Sequence, residues 1–323
     1  MDESLIPFIF KVYYIAVPLI GCLGNSLLSF TTLTTPHLQS TTNLMVAILA
    51  TCDSIFQAGW VITIISHEVL KDRVMSMESC LRWQTPSLFS MCFSFVLLPG
   101  IAIERLLSLH SLCLPGKENR RMGYIYKVCV VSAVFALVIT IWAYRSVENE
   151  SSVCTMSMPL MNGSVYFCVM ASMFAASLVT MSCYIAFIIC LRKKSITSTS
   201  KKSIYRSLMI ISATVVFGWM STALSSFAIQ LLGWWNFNQR FMIKLSSGAF
   251  SSLACACNFF VYYIVSKDYR RAFNRILHLH RWKPPHARSN CTDRAGGRDG
   301  RDEAPIFVKL ETRWPRCGSD ATA

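Results

Sequence analysis

The sequence predicts an all-α membrane protein, a seven-transmembrane helix bundle followed by a short amphipathic eighth helix. Hydrophobic residues make up 53% of the 323 residues and charged residues only 15%, below the roughly 25% that is usual in soluble domains. The apolar residues form seven continuous runs, and the basic residues collect between and after these runs. Lipid is therefore the predicted solvent for most of the chain.

Each predicted span is a run long enough to cross the hydrocarbon layer, which takes about 20 mostly apolar residues in a helix. Strands of a membrane barrel would alternate in polarity over about ten residues, whereas these runs are continuous. The fourth run is short but uninterrupted. The seven predicted spans lie at roughly 9–33, 43–66, 84–109, 127–144, 165–191, 205–232 and 241–265.

The segments outside the spans have distinct compositions. Residues 1–8 contain acids and no basic stretch, so we expect a short extracellular N-terminus and an uncleaved first span. Residues 266–280 combine basic and apolar side chains at helical spacing, which predicts an amphipathic helix on an anionic inner leaflet. Residues 281–323 are rich in Arg, Gly, Asp and Pro, which predicts a disordered cytosolic tail.

Lysine and arginine are divided unevenly between the two sides of the predicted membrane, and cytoplasmic loops normally carry the excess. The side that follows spans three, five and seven holds Arg105, Lys117, Arg120, Arg121, Lys127, Arg192, Lys193, Lys194, Lys201, Lys202, Arg206, Lys267, Arg270, Arg271 and Arg275. The other side holds Lys11, Lys71, Arg73, Arg82, Arg145, Arg240 and Lys244, diluted by acids. This bias predicts a multi-pass plasma-membrane protein with an extracellular N-terminus and a cytoplasmic C-terminus. Because the basic residues follow the membrane topology, the net charge of +14 does not indicate nucleic-acid binding.

Cysteine positions give a second test of this topology. Of the 14 cysteines, only Cys80 and Cys154 lie in loops on the predicted outer side, where an oxidising environment preserves disulfides. A bond between them would join the second outer loop to the start of span three; the alternative is two free thiols. Asn149 and Asn162 begin two glycosylation sequons in that loop, Asn-Glu-Ser and Asn-Gly-Ser.

Asp53 is the only carboxylate well inside a predicted span. A charge at that depth costs about 2.5–3.5 kcal/mol on insertion scales, so we expect it to have a partner and a function. The predicted partners are the polar side chains of Asn25 in span one, Ser94 in span three and Asn258 in span seven. The alternative is a neutral Asp53 that only joins helices through hydrogen bonds.

An ordered set of motifs runs through the seven spans. Glu104-Arg105 at the end of span three would alone suit an ordinary charged pair at a helix end, but Arg105 follows Cys80 by 25 residues. The other motifs are Gly21-x-x-Gly24-Asn25, Leu49-Ala50-x-x-Asp53, Trp142, Tyr184, Trp219 and Asn258-Phe-Phe-Val-Tyr262. In this order the set resembles rhodopsin-type G-protein-coupled receptors. The stretch NFFVYYIVSKDYRRAF, with ERLLSL after span three, is most similar to nematode serpentine chemoreceptors of class Sx.

The resemblance implies a chemosensory receptor that binds an extracellular small molecule or peptide and activates a heterotrimeric G protein. It also implies that Asn25, Asp53, Ser94 and Asn258 line a polar pocket for a sodium ion, which collapses on activation. No other cofactor is implied. The bundle would have two states, and both the ligand and the G protein would bias the equilibrium between them.

The resemblance further implies how activation proceeds at the cytosolic end. Glu104 would hold Arg105 at rest, and activation would free Arg105 towards Tyr184 and Tyr262. Trp219 belongs to the same set of activation residues. Span six would swing outwards and open a cleft for a helix of the G protein.

Two usual kink sites are missing from this chain. Ser221 in span six and Phe259 in span seven stand where relatives carry proline, the residue that kinks a helix by removing a backbone hydrogen bond. Hydroxyl side chains around Ser221 would still bend span six, but less sharply. Bases also replace the acid that many relatives place at the foot of span six, which excludes an ionic latch there; they are Lys201, Lys202 and Arg206.

The ligand is less well determined than the fold. Ser87 stands where amine receptors carry aspartate, and span seven has no lysine deep in the membrane, so neither a biogenic amine nor retinal is expected. Two alternatives remain: a neuropeptide receptor of the same fold, and a small transporter or channel subunit. The prolines Pro18, Pro86 and Pro99 are not repeated in the second half, which disfavours the repeats of a transporter. No motif indicates an enzyme.

Overall fold

The computed structural model of the protein describes residues 6–70, 74–111, 118–147, 151–155, 164–193, 216–229, 231 and 236–277. These residues belong to one unit of the chain, which ends at Arg281. Its described helices are α1 Phe8–Thr34, α2 Thr41–Val69, α3 Met77–Ser111, α4 Glu118–Arg145, α5 Ser164–Lys193, α6 Val216–Ile229, α7 Phe237–Ala256, α8 Asn258–Val265 and α9 Lys267–Ile276. A 3-10 helix, Pro36–Leu38, joins α1 to α2, and the strands β1 Met75–Ser76 and β2 Ser151–Ser152 pair with each other.

Six stretches of the described residues are long and apolar enough to cross a membrane. They are α1, α2, Met77–Ser108, Met122–Arg145, Ser164–Cys190 and Gln239–Val265, the last of which runs through α7 and α8. The shorter apolar helix α6 lies inside the sixth predicted span, 205–232, whose other residues fall mostly outside the described ranges. Each of the seven predicted spans therefore overlaps a helix.

The third helix, α3, lies at the centre of the bundle. It packs against α2, α4 and α5, and 67% of its membrane window is buried, the largest share among the six spanning stretches. The first helix, α1, packs against α2, α7, α8 and α9. Side chains of α3 are therefore placed to contact several neighbouring helices.

Disulfide Cys80–Cys154 joins the start of α3 to the segment after β2, with 5.4 Å between the two Cα atoms. Beside it, β1 and β2 pair antiparallel with Met75 opposite Ser152. The end of the bundle that carries this bond is here named the disulfide end, and the end that carries Arg105 is named the Arg105 end. The bond is the one that the cysteine positions predict.

The junction of α7 and α8 continues without a proline. Cys257 lies between the two helices, yet its N–H donates to the Leu253 carbonyl at 2.9 Å, and the Val261 N–H donates to the Cys257 carbonyl at 3.0 Å. Phe259 fills space instead: a Cβ atom on Gly24 of α1 would lie 2.8 Å from the Phe259 Cβ. At this position, where relatives carry a proline that kinks the helix, this chain has an aromatic side chain packed on a glycine.

Hydroxyl side chains occupy the turn of α6 where the other expected proline is missing. Ser221 donates to the Phe217 carbonyl at 2.8 Å, and Ser225 donates to the Ser221 carbonyl at 2.7 Å. Thr222 donates both within α6 and to the Ser247 carbonyl of α7 at 3.1 Å. Such bonds to the preceding turn often bend a helix slightly, and the Thr222 bond also joins α6 to α7.

The last described helix, α9, is amphipathic. Tyr269, Ala272 and Phe273 form its buried side, whereas Arg270 and Arg271 are exposed. Tyr269 and Thr32 of α1 share a hydrogen bond of 2.9 Å between their hydroxyl oxygens. The position of α9 lies within the predicted range 266–280, and its contacts join it to α1 and α8.

Replacement of Cys80 or Cys154 by serine is expected to reduce the amount of protein that reaches the cell surface. Loss of a disulfide costs about 2–5 kcal/mol in small secreted domains, and here it releases the β1–β2 segment from α3. The double variant should be no worse than either single variant, because both remove the same bond. Surface labelling of a tagged chain measures the effect.

The matched control is Cys190→Ser, which removes a free, exposed thiol of α5. Its surface level should equal that of the unmutated chain. Normal surface levels for both Cys80→Ser and Cys154→Ser would show that the bond does not contribute to maturation.

Candidate functional site

A buried polar contact joins α2 to α8 in the middle of the bundle. Asp53 is only 2% exposed, and its Oδ2 accepts a hydrogen bond of 2.7 Å from Nδ2 of Asn258. Asn25 of α1 donates from Nδ2 to the Cys255 carbonyl of α7 at 3.0 Å. The structure therefore brings Asp53 and Asn258 into contact, while Asn25 of α1 bonds to Cys255, three residues before Asn258.

Two buried oxygen atoms of the predicted polar pocket have no hydrogen-bond partner. They are Oδ1 of Asn25 and Oγ of Ser94. Together with the Asp53 carboxylate they form a set of amide, hydroxyl and carboxylate oxygens, the ligand type that suits a small hard cation. The donor set therefore fits sodium. Within the described residues, no group of three His, Cys, Asp or Glu side chains is placed to hold another metal.

A second buried polar contact joins α2 to α7, and the sequence analysis missed it. Gln57 is fully buried; its Nε2 donates to the Ser252 carbonyl at 2.8 Å, and the Ser252 hydroxyl donates to its Oε1 at 2.9 Å. Gln57 follows Asp53 by one helical turn, so both side chains lie on the same face of α2. An amide one turn after a buried acid is the signal that would have found it.

A cavity opens between α2, α3, α5, α6 and α7. Its aromatic walls are Phe56, Trp60, Tyr166 and Trp219, and three methionines complete its apolar lining. Trp60 stacks on Tyr14 with 4.3 Å between ring centroids. A Cβ atom on Gly248 would lie 2.5 Å from the Trp60 ring, so only glycine lets this ring lie against α7.

Lys244 is the charged residue among those that line the cavity. Its Nζ lies 4.6 Å from the centroid of the Tyr166 ring, a cation–π geometry. In the charge bias of the sequence, Lys244 counts with the bases of the outer side, at the outer end of the predicted span 241–265. The structure instead places it on the cavity wall, roughly 10 Å along α7 from the start of the helix at Phe237.

Trp219 of α6 lies at the boundary between the cavity and the bundle core. Its side chain is 3% exposed, and its ring packs against Phe56 of α2 at 5.0 Å and Phe95 of α3 at 5.2 Å between centroids. A ligand in the cavity would touch a side chain that contacts two other helices.

Glu104 is engaged at the Arg105 end by hydroxyl groups. It is buried; Thr42 of α2 donates to Oε2, and Ser108 donates to Oε1 at 2.8 Å. None of the ion pairs in the described part of the chain joins Glu104 to Arg105. The structure therefore places Glu104 with Thr42, where the sequence analysis expected Arg105.

Arg105 lies beside a group of tyrosines. Its Nε is buried without a hydrogen-bond partner. Tyr262 of α8 is buried, and its ring lies 4.9 Å from that of Tyr269. Burial raises the pKa of Tyr269 to about 12, while the Thr32 hydrogen bond and the positive charge of Arg105 act in the opposite direction. Tyr184 of α5 is also buried and packs against α3.

A comparison with protein families matches residues 18–277 to the serpentine type 7TM GPCR chemoreceptor Srsx. The chain belongs to the Srsx family. The match begins within α1 and runs through the other described helices to the end of α9. A comparison with curated proteins gives no match.

Membership in the Srsx family confirms the predicted resemblance to serpentine chemoreceptors of class Sx. It also confirms the predicted seven-transmembrane helical fold, and it makes this chain a member of a GPCR-type chemoreceptor family. The glycosylation sequons at Asn149 and Asn162 lie outside the described residues. Lys201, Lys202 and Arg206 at the predicted foot of span six also lie outside them.

Gln57→Ala is expected to lower the apparent Tm of the purified Srsx family member by several degrees. The change leaves the Ser252 carbonyl and hydroxyl without their partner, and an unsatisfied buried polar group costs about 1–3 kcal/mol. Thermal unfolding in detergent micelles or nanodiscs measures the effect. Gln39→Ala is the control, because the Gln39 side chain is exposed between α1 and α2. Equal losses for the two variants would contradict the importance of the Gln57 contact.

Proposed function

We propose that this Srsx family member is a chemosensory receptor that binds an extracellular small molecule in the cavity and activates a heterotrimeric G protein at the Arg105 end. The cavity is the observation that carries the proposal. Its aromatic and thioether walls suit a small organic ligand.

The proposal places the receptor in the plasma membrane with the disulfide end outside the cell. The Cys80–Cys154 bond supports this orientation, because disulfides persist in oxidising compartments. The excess of lysine and arginine in loops at the Arg105 end supports it independently. In this orientation a ligand enters the cavity from the extracellular side.

Trp219 would carry the effect of the ligand to the rest of the bundle. It lines the cavity and also packs against Phe95 of α3, the helix that ends in Glu104 and Arg105. A ligand that contacts Trp219 differently in two arrangements of α6 would shift the balance between them. Physical coupling from ligand to G protein requires such a difference in contacts.

Arg105 would contact the G protein directly. A guanidinium presents several N–H donors, which suit the carbonyl groups at the end of an inserted helix. In the structure Glu104 is occupied by Thr42 and Ser108, and the Arg105 Nε has no partner. This arrangement leaves the guanidinium beside Tyr262 and Tyr269, where Glu104 does not pair with it.

The pocket of Asn25, Asp53, Ser94 and Asn258 would bind sodium in the resting receptor. The two buried oxygens support this assignment, because each has lone pairs of the kind that coordinate a small hard cation. Asp53 supplies the negative charge, and its contact with Asn258 links the pocket to α8. Sodium would then favour the arrangement of helices in which these side chains converge.

Arg105→Ala is expected to abolish or greatly reduce nucleotide exchange on the G protein while leaving surface expression and ligand binding unchanged. Hydrogen bonds from a charged donor are worth about 1.5–3 kcal/mol, so exchange should fall by about 10- to 100-fold. A screen of volatile and water-soluble metabolites, on cells with a promiscuous G protein, first supplies an activating compound. Exchange is then measured in membranes at matched receptor density.

Arg82→Ala is the matched control for this experiment. Arg82 lies on the same helix at the disulfide end and pairs with Glu78 on an exposed surface. Its loss should leave nucleotide exchange intact. Equal exchange for Arg105→Ala and the unmutated receptor would remove Arg105 from the mechanism, and a chain that transports the active compound without any exchange would favour the transporter alternative.

Asp53→Asn is expected to abolish the sodium dependence of agonist affinity and to leave expression largely intact. Asparagine keeps the size and hydrogen-bonding capacity of the side chain but removes the charge that a cation requires. Agonist binding is measured in sodium chloride and in N-methylglucamine chloride at equal ionic strength. If sodium does not change the agonist affinity of the unmutated receptor, the pocket has only a structural role.

A further inference from the structure

The charge of Lys244 is poorly compensated in the cavity. No carboxylate within the described residues lies at ion-pair distance from its Nζ, and the recorded partner of the ammonium is the ring of Tyr166. A charged group surrounded by apolar walls is costly unless a counter-charge accompanies it. Lys244 therefore gives the cavity wall a cationic group that an anionic group of a ligand would complement.

The other polar groups of the cavity point to the same assignment. The hydroxyls of Thr222, Ser226, Ser247 and Ser251 all donate to backbone carbonyls of α6 or α7. Their protons are engaged, whereas the Lys244 ammonium has N–H donors to offer and the Trp60 Nε1, on the same lining, is a buried donor without a partner. A ligand group that lies beside Lys244 must therefore accept hydrogen bonds, and a negative charge satisfies it best.

The number of cationic groups limits the charge of the ligand. Phosphate or another dianion normally needs several donors or a second cation, and among the described residues that line the cavity Lys244 is the one cation. The remaining surface is apolar: Phe56, Trp60 and Trp219 are aromatic, and Met91, Met170 and Met173 can fit closely around a flat ring. A molecule complementary to this cavity therefore has one negative charge and a flat apolar ring.

We propose that the ligand of this cavity is a small aromatic monocarboxylate, whose carboxylate pairs with Lys244 and whose ring lies among the aromatic and methionine side chains. The inference rests on the proposed function, because it takes this cavity as the ligand site. It adds the chemical class of the ligand and the residue that selects it.

The test measures binding to the purified full chain in lipid nanodiscs, without a G protein. The probes are phenylacetate and cinnamate, their primary amides, and phenethylamine, which share closely similar skeletons and differ in charge. At millimolar concentration the two carboxylates should raise the Tm, and the amides and the amine should raise it much less. Trp60 and Trp219 line the site, so quenching of tryptophan fluorescence gives an independent affinity.

Lys244→Met keeps the length of the side chain and removes its charge. It should weaken carboxylate binding by about 10- to 100-fold, the range expected for a charge-assisted contact, while leaving amide binding unchanged. Lys244→Arg should retain the preference for carboxylates. Lys127→Met is the control, because Lys127 is exposed on α4 away from the cavity, and it should bind all probes as the unmutated chain does.

Equal binding of each acid and its amide by the unmutated chain would overturn the proposal, and so would stabilisation by the amine alone or by none of the carboxylates. This comparison needs no variant, so it stands even if Lys244→Met does not fold. Carboxylate binding without nucleotide exchange would refute the proposed G-protein coupling and leave the ligand class intact. If only uncharged or cationic compounds drive nucleotide exchange on the G protein, the monocarboxylate ligand class is refuted and the proposed G-protein coupling still stands.

Discussion

The hydrogen bond between Asp53 and Asn258 carries the constraint on which the rest of the bundle depends. Lipid offers no hydrogen bonds, so a polar side chain at that depth must find its partner on another helix. This contact fixes α8 against α2, and Gln57 with Ser252 fixes α7 against the same face one turn away. Asn25 adds α1 through the Cys255 carbonyl. Three helices thereby acquire a defined register that apolar packing alone would not specify.

That register also positions the cavity. Phe56 and Trp60 lie on α2 beside Gln57, and Lys244 lies two turns before Ser252 on α7. Because Gln57 joins the two helices, the aromatic wall and the ammonium group face the same space. The proposed ligand site and the proposed sodium pocket are thus consecutive layers of one helix interface.

Most of the fold could be predicted because membrane spans have a simple physical signature, a continuous apolar run of fixed length. The contact of Asp53 with Asn258 could be predicted for a related reason: few polar groups exist at that depth. The partner of Glu104 could not. Adjacent residues of a helix point about 100° apart, so Glu104 and Arg105 face different neighbours, and Glu104 reaches Thr42 of α2.

Lys244 and Gln57 show a second limit of the sequence. Hydropathy reports how deep a residue lies but not the direction in which its side chain points. Lys244 lies at the outer end of the predicted span 241–265 and counts with the outer-side bases in the charge bias, although its side chain lies on the cavity wall. Gln57 carries no charge, so in the sequence only its spacing of one helical turn from Asp53 sets it apart from other polar residues.

The packing of Phe259 on Gly24 restricts how these two positions can change over evolutionary time. Any side chain added at position 24 would meet the benzyl group, with its Cβ only 2.8 Å from that of Phe259. The same ring also lies 4.9 Å from Phe273 of α9, which limits its movement on that side. A lineage that regains proline at position 259 would lose this filler and open a void between α1 and α9. Substitutions at positions 24 and 259 are therefore coupled: a larger residue at 24 is tolerated only together with a smaller residue at 259.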